Sequence, residues 1–198
     1  GNQSHSVSLE VRTVAPPPPP IYGYGLYAGK SVEGFQNNLV VGSDIVSGGA
    51  ITGFETSQGF AIRPYEHVEF PALDPDEYRG YPAPEVYPGD DSRIIVNGYR
   101  FFDGTLGNLN MNSVRVESPS GDGVLFINGD LLAKNNLEFV GKITVIVAGD
   151  MDCKNSLGGP DKLHLVIGGD IDLKNNMALT GTVTVGGSFK AKNNTTVT

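Results

Sequence analysis

The nonapeptide GGDIDLKNN at residues 168–176 has three near-copies in the same chain: NGDLLAKNN at 128–136, AGDMDCKNS at 148–156 and GGSFKAKNN at 186–194. Aligning the four puts Gly129, Gly149, Gly169 and Gly187 at equivalent positions, 20, 20 and 18 residues apart. A recurrence at that period belongs to a stacked repeat, and each copy cannot bury its apolar side alone. Around each nonapeptide apolar and polar residues alternate with period two, then break at Gly and again at Asn-Asn. That pattern describes short strands joined by tight corners, and a helical period does not fit it. Twenty residues are too few for a propeller blade, and the Leu/Asn signature of a leucine-rich horseshoe is missing. The fold class predicted is all-β, a single-stranded parallel β-solenoid of roughly 18–20-residue rungs.

In a solenoid each rung lies about 4.8 Å above the last, so equivalent residues form ladders. One inward apolar wall is predicted from Leu125 and Ile127, Val145 and Val147, Leu165 and Ile167, and Val183 and Val185. A second holds Leu131 and Ala133, Met151 and Cys153, Ile171 and Leu173, and Phe189 and Ala191. A shorter third holds Leu137 and Phe139, Leu157, Met177 and Leu179, and Val197. Three walls and three corners predict a triangular cross-section.

Outside the repeat, the chain is expected to be one domain over 1–198, with an N-terminal strand in 1–15, a polyproline spacer at 16–20, first rungs at 27–57 and the main solenoid at 94–198. The stretch IIVNG at 94–98 matches LFING at 125–129 and is expected to occupy the equivalent place in a rung. Residues 63–93 hold six Pro, eight carboxylates and four Tyr with little periodicity, and are expected to be a long loop insertion interrupting the solenoid. The chain stops on NNTTVT, in what should be a strand, and native sequence is expected to continue and cap the last rung.

Composition narrows the function classes. Charged residues make up only 18% and Gly 27 of 198, a balance unlike that of a helical enzyme. A formal net charge of −8 argues against nucleic acid and anionic membranes as partners, because both need a basic field. Cys153 has no partner for an internal disulfide, and its core position makes it a small buried hydrophobe. No run of 18 apolar residues is present and the first residues lack a basic-then-apolar pattern, so neither a membrane span nor a signal peptide is expected within the sequence.

Four columns carry the functional question. Asn135, Asn155, Asn175 and Asn193 are expected to form a side-chain amide ladder, at corners whose left-handed backbone Asn tolerates. Asp130, Asp150 and Asp170 run beside Lys134, Lys154, Lys174 and Lys192, and the two columns are expected to neutralise each other in water. Calcium would need more oxygen ligands than these supply and a GGxGxDxxx repeat that does not occur, so no metal and no cofactor are expected. Phe126, Ile146 and Val166 sit at outward positions of the first wall, where an alternating strand should be polar. They are either covered by the N-terminal strand SVSLEVRTV or form a partner surface. The rings of Tyr78, Tyr81 and Tyr87 in the insertion either add to a partner surface or pin the insertion onto the flank of the solenoid. No catalytic residues are assigned: EHVE at 66–69 is no zinc motif, and Asp90-Asp91 with Arg93 reads as turn chemistry. His164 is expected to be a solvent-facing strand residue.

The order of segments also carries a resemblance. The polyproline run, YGLYAGKSVEGFQNN at 24–38, the acidic Pro-rich insertion, VLFINGDLLAKNN at 124–136 and LHLVIGGDIDLKNNMALTGTVTVGG at 163–187 together resemble the C-terminal β-solenoid domain of PilX-like minor pilins of bacterial type IV pilus systems. The resemblance implies a non-enzymatic module displayed on the bacterial cell surface, working in pilus assembly, adhesion or secretion, with other pilus or cell-surface proteins as partners. It implies a membrane link only through an N-terminal helix that this sequence does not contain. A polysaccharide-binding or polysaccharide-cleaving solenoid is the alternative, and the rungs are also similar to those of bactofilin-like cytoskeletal polymers.

Overall fold

The computed structural model describes residues 24–35, 39–67, 69–88, 91–107 and 113–198. The N-terminal strand and polyproline spacer, the Asn37-Asn38 corner and Asp90 lie outside them. Among the described residues the chain forms nineteen strands and a single 3-10 turn at Pro75–Glu77. The N-terminal strands are β1 (Leu26–Ala28), β2 (Val32–Gly34), β3 (Leu39–Val41), β4 (Ile45–Ser47), β5 (Ile51–Thr52), β6 (Glu55–Thr56) and β7 (Ile62–Arg63). After the insertion come β8 (Glu85–Tyr87), β9 (Asp91–Ile95), β10 (Tyr99–Asp103), β11 (Ser113–Asn128), β12 (Leu131–Ala133), β13 (Leu137–Val147) and β14 (Met151–Cys153). The chain ends with β15 (Ser156–Ile167), β16 (Ile171–Leu173), β17 (Asn176–Val185), β18 (Phe189–Ala191) and β19 (Thr195–Val197).

These strands make a parallel β-solenoid of about eight turns. Leu125 pairs with Val145, Val145 with Leu165 and Leu165 with Val183, so the first wall has the register that the repeat predicts. The second wall stacks Leu131, Met151, Ile171 and Phe189, and the third stacks Leu137, Leu157 and Met177. All of these side chains are buried in one core. The four long strands run from the third wall around a corner onto the first. Gly141 (φ 88°) and Gly181 (φ 141°) turn that corner with a backbone that L side chains rarely adopt.

The order of the rungs differs from the order of the sequence. β1 pairs in parallel with β17, β2 with β18 and β3 with β19, so the first rung of the chain stacks on its last. From there β4, β5 and β6 continue outward to one end. The insertion then climbs the outside of the solenoid to the opposite end, where β9 and β10 begin the descent back towards β1. The strand 195–197 therefore has a neighbour on both sides, β17 and β3, and its open edge is capped by the chain's own beginning. This corrects the expectation that sequence beyond Thr198 caps the last rung.

A second correction concerns 94–98. Ile94 pairs with Val116 on the third wall, and Phe101 pairs with Phe126 on the first. IIVNG is thus not the equivalent of LFING. The two share a strand-then-Gly pattern, but that pattern ends strands on more than one wall.

The repeat's corners explain its residue types. At the corner after the first wall, the Asp150 N–H donates to Asp130 Oδ1 (2.9 Å), Asp170 N–H to Asp150 Oδ1 (2.8 Å) and Ser188 N–H to Asp170 Oδ1 (2.7 Å). A Cβ at Gly149, Gly169 or Gly187 would collide with that carboxylate oxygen. The Gly makes room for the Asp of the rung before it, and Gly-Asp recurs as a unit for that reason. The Asp column therefore serves the backbone, rather than neutralising the Lys column as the alignment predicts. Lys174 reaches Asp172, at 3.5 Å, and not Asp170.

Candidate functional site

The corner after the second wall carries the Asn ladder. Asn155 Nδ2 donates to Asn135 Oδ1 (3.0 Å), Asn175 Nδ2 to Asn155 Oδ1 (2.9 Å) and Asn193 Nδ2 to Asn175 Oδ1 (2.7 Å). Tyr65 has the one positive φ of a non-Gly residue among those described, so the left-handed backbone expected for these Asn is not what the corner uses. What selects Asn is an amide that donates to the rung before it and accepts from the rung after it. Replacing Asn155 by Ala removes two such bonds and should destabilise the fold by about 1 kcal/mol, given partial compensation by water. Thermal melts of Asn155→Ala beside the parent would show it, and an unchanged midpoint would rule the ladder out as a stabilising element.

The apolar outward column is covered by the insertion. Phe126, Ile146 and Val166 are essentially inaccessible, and with Tyr78 and Phe101 they form a second core, packed by Phe70, Leu73 and Tyr81. Tyr78 stacks on Phe126 with 4.4 Å between ring centroids, and Phe101 stacks on its other side at 5.7 Å. Burial first, then the Glu77 carboxylate, pushes the Tyr78 hydroxyl pKa up to about 12. Tyr81 stacks on Tyr99 at 5.2 Å. Phe126, Ile146, Val166 and Tyr78 are therefore unavailable as a partner surface. Residues 70–81 cover them, because the chain must travel from one end of the solenoid to the other and this face is the one it crosses; SVSLEVRTV lies outside the described residues. Tyr87 stays exposed, its hydroxyl donating to Glu85 Oε2 at 2.9 Å.

Cys153 is buried in the core, as its place in the ladder predicts, with its thiol donating to Ser156 O (3.2 Å). Burial pushes its pKa up to about 11, which keeps it a thiol at neutral pH. No group of three or more His, Cys, Asp or Glu among the described residues is arranged to hold a metal.

The third wall is the face that the insertion leaves open. Its outward column runs Arg93, Arg115, Glu138, Gly158, Ala178, Thr196 and Val40, one residue per rung. Two hollows lie along it. One, of about 410 Å³, is lined by Asn136, Glu138, Ser156, Gly158, Asn176 and Ala178. The other, of about 300 Å³, is lined by Ser113, Arg115, Asn136 and Glu138. They share Asn136 and Glu138 and lie end to end as a shallow groove along four rungs, with Glu138 between them, roughly 14 Å along the axis at the spacing of hydrogen-bonded strands. Gly158 and Ala178 give it a floor without long side chains. Asn136, Ser156 and Asn176 supply amides and a hydroxyl along one rim.

At its far end the groove meets an ion-pair cluster absent from the sequence expectations. Arg93 Nη2 lies 2.6 Å from Glu117 Oε2, Arg115 Nε lies 2.6 Å from Glu117 Oε1, and Arg115 Nη1 lies 3.5 Å from Glu138 Oε2. The hydrogen bond from Arg93 holds the Glu117 carboxyl below its usual pKa. Arg115 and Glu117 are two residues apart on one strand, whereas Arg93 and Glu138 lie 21–45 positions from the rest of the cluster and join it only through register. The signal for them is the rung alignment, and pairing IIVNG with LFING sends Arg93 to the wrong wall.

No family model matches the chain, and no curated protein matches it by sequence. Among solved structures, an ice-binding protein from an Antarctic ascomycete, Antarctomyces psychrotrophicus, is similar with 12% identity and a TM-score of 0.31, over 88% of this chain and 93% of that one. A superposition that loose carries nothing about activity.

Proposed function

We propose that this chain is a non-enzymatic binding module that lays an extended polymer, a neutral polysaccharide, along its third wall on the outside of a bacterial cell. The two hollows adjoining along four rungs carry this reading. A shallow trough with side-chain amides and hydroxyls repeated at strand spacing suits a ligand that is itself linear and rich in hydroxyls. The rigid stack fixes those donors in advance, so little ordering free energy is lost on binding.

The carboxylates at the groove's end support binding without turnover. A general acid needs a raised pKa, whereas Glu117 is held ionised by two guanidinium groups. Against a bactofilin-like polymer, β8 pairs antiparallel with β9 and occupies the third-wall edge at that end, where a parallel head-to-tail contact would have to form. Display on a pilus or another surface assembly rests on the segment order alone.

Ala178 is exposed on the groove floor, and Ala178→Arg should block the trough without touching the core. Sedimentation with insoluble neutral polysaccharides should retain the parent protein and lose at least tenfold in affinity with this variant, equivalent to about 1.4 kcal/mol. Equal retention of both proteins would end the third-wall reading.

A further inference from the structure

The first wall is only half covered. Next to the column under the insertion, its outward positions Val124, Thr144, His164 and Thr182 remain partly accessible, and a hollow of about 300 Å³ opens over the first three. Lys142 and Lys162 stand on its rim, one rung apart and both exposed, in a chain whose net charge is −8. Two carboxylates stand beside them, Asp122 in the lining of the hollow itself and Asp161 next to Lys162 in sequence. Asp161 accepts the Gly141 N–H at 2.8 Å, and Asp122 reaches Lys142 only at 3.9 Å, with both side chains well solvated. His164 Nδ1 lies 2.9 Å from Thr182 Oγ1, which fixes the imidazole ring on the floor.

We propose that this hollow is a binding site for an anionic sugar unit, a hexuronate, whose carboxylate sits between Lys142 and Lys162 while its ring lies over Val124 and Thr144. Two lysines on neighbouring rungs, each just before the paired Ile143 and Leu163, can both reach a carboxylate placed between them. The volume lies at the lower end of small-molecule sites and matches one sugar ring rather than a chain. Val124 offers apolar surface to the ring's C–H face, and Thr144 offers a hydroxyl. Burial, and then the Lys162 charge, lower the His164 pKa, so the ring is neutral at pH 7 and adds a hydrogen-bonding group without a charge. The site lies on a different wall from the groove and stands independently of it.

The test is NMR titration of the whole chain with glucuronate, glucose and inorganic sulfate. Glucuronate should give saturable shifts of the Gly123, Thr144 and His164 amides and raise the His164 pKa, because a bound anion stabilises the imidazolium. Glucose should do neither. The double variant Lys142→Gln, Lys162→Gln, at exposed positions that leave the fold intact, should abolish the response, and Ala178→Arg should keep it. Absence of saturation, an equal response to sulfate, or an unchanged response in the double variant would each overturn the proposal.

Discussion

Phe126→Ala should be among the most damaging single substitutions in this protein, although its position in the alternating pattern is an outward one. The ring is completely buried, sandwiched between Tyr78 and Phe101, and it joins the insertion to the solenoid at the end where β10 begins the descent. Truncating it leaves a cavity between two aromatic rings that cannot both close in, at a cost of about 3–5 kcal/mol. For a chain of this length that corresponds to a fall in Tm of roughly 10 °C. The insertion should also become the first place a protease cuts, because its main anchor is gone while the rungs stay stacked. A melt within a degree or so of the parent, with no new cleavage between residues 63 and 88, would show that the covering layer does not hold the fold.

Phe189→Ala tests the other unusual junction. Residues 26–56 are joined to the C-terminal rungs by strand pairing and side-chain packing alone, and Phe189 lies at that seam. It is fully buried, pairs with Val32 of the N-terminal rung and meets the edge of Phe54 at 5.8 Å. Removing the ring should cost about 3–5 kcal/mol and should do so unevenly. Native-state hydrogen exchange should show β1–β6 opening at a lower free energy than β13–β16, because a stack of near-identical interfaces fails at its weakened one. Protection lost to the same extent in both regions would mean that the seam is no weaker than any other contact between rungs.

How far the fold can be read from the sequence varies by feature. The three inward walls follow directly from the alternation in residues 124–197, because burial acts on one face of each strand at a time. The Asn ladder is legible for a similar reason, since a corner amide recurs wherever a rung turns. The Asp column is harder, because recurrence alone cannot say whether a carboxylate faces a lysine or a backbone N–H. The answer lies in the glycine of the next rung, whose missing side chain leaves the space. The candidate sites were less legible still. The third-wall groove and its Arg93–Glu117–Arg115–Glu138 cluster depend on register across segments where the repeat is degenerate, and the Lys142–Lys162 hollow depends on how far the insertion's cover extends.

Residue type and spacing by themselves determined the class of fold, the inward residues and the corners. They did not determine which rung lies on which. Every rung presents the same chemistry to its neighbours, backbone N–H and C=O groups along three edges and a small apolar core between them, so any rung can stack on any other. Tertiary structure decided that order. The first described rung lies in the middle of the stack, and an insertion long enough to cross the stack returns the chain to the far end. In crossing, the insertion covers the apolar column on the first wall and leaves the third wall open.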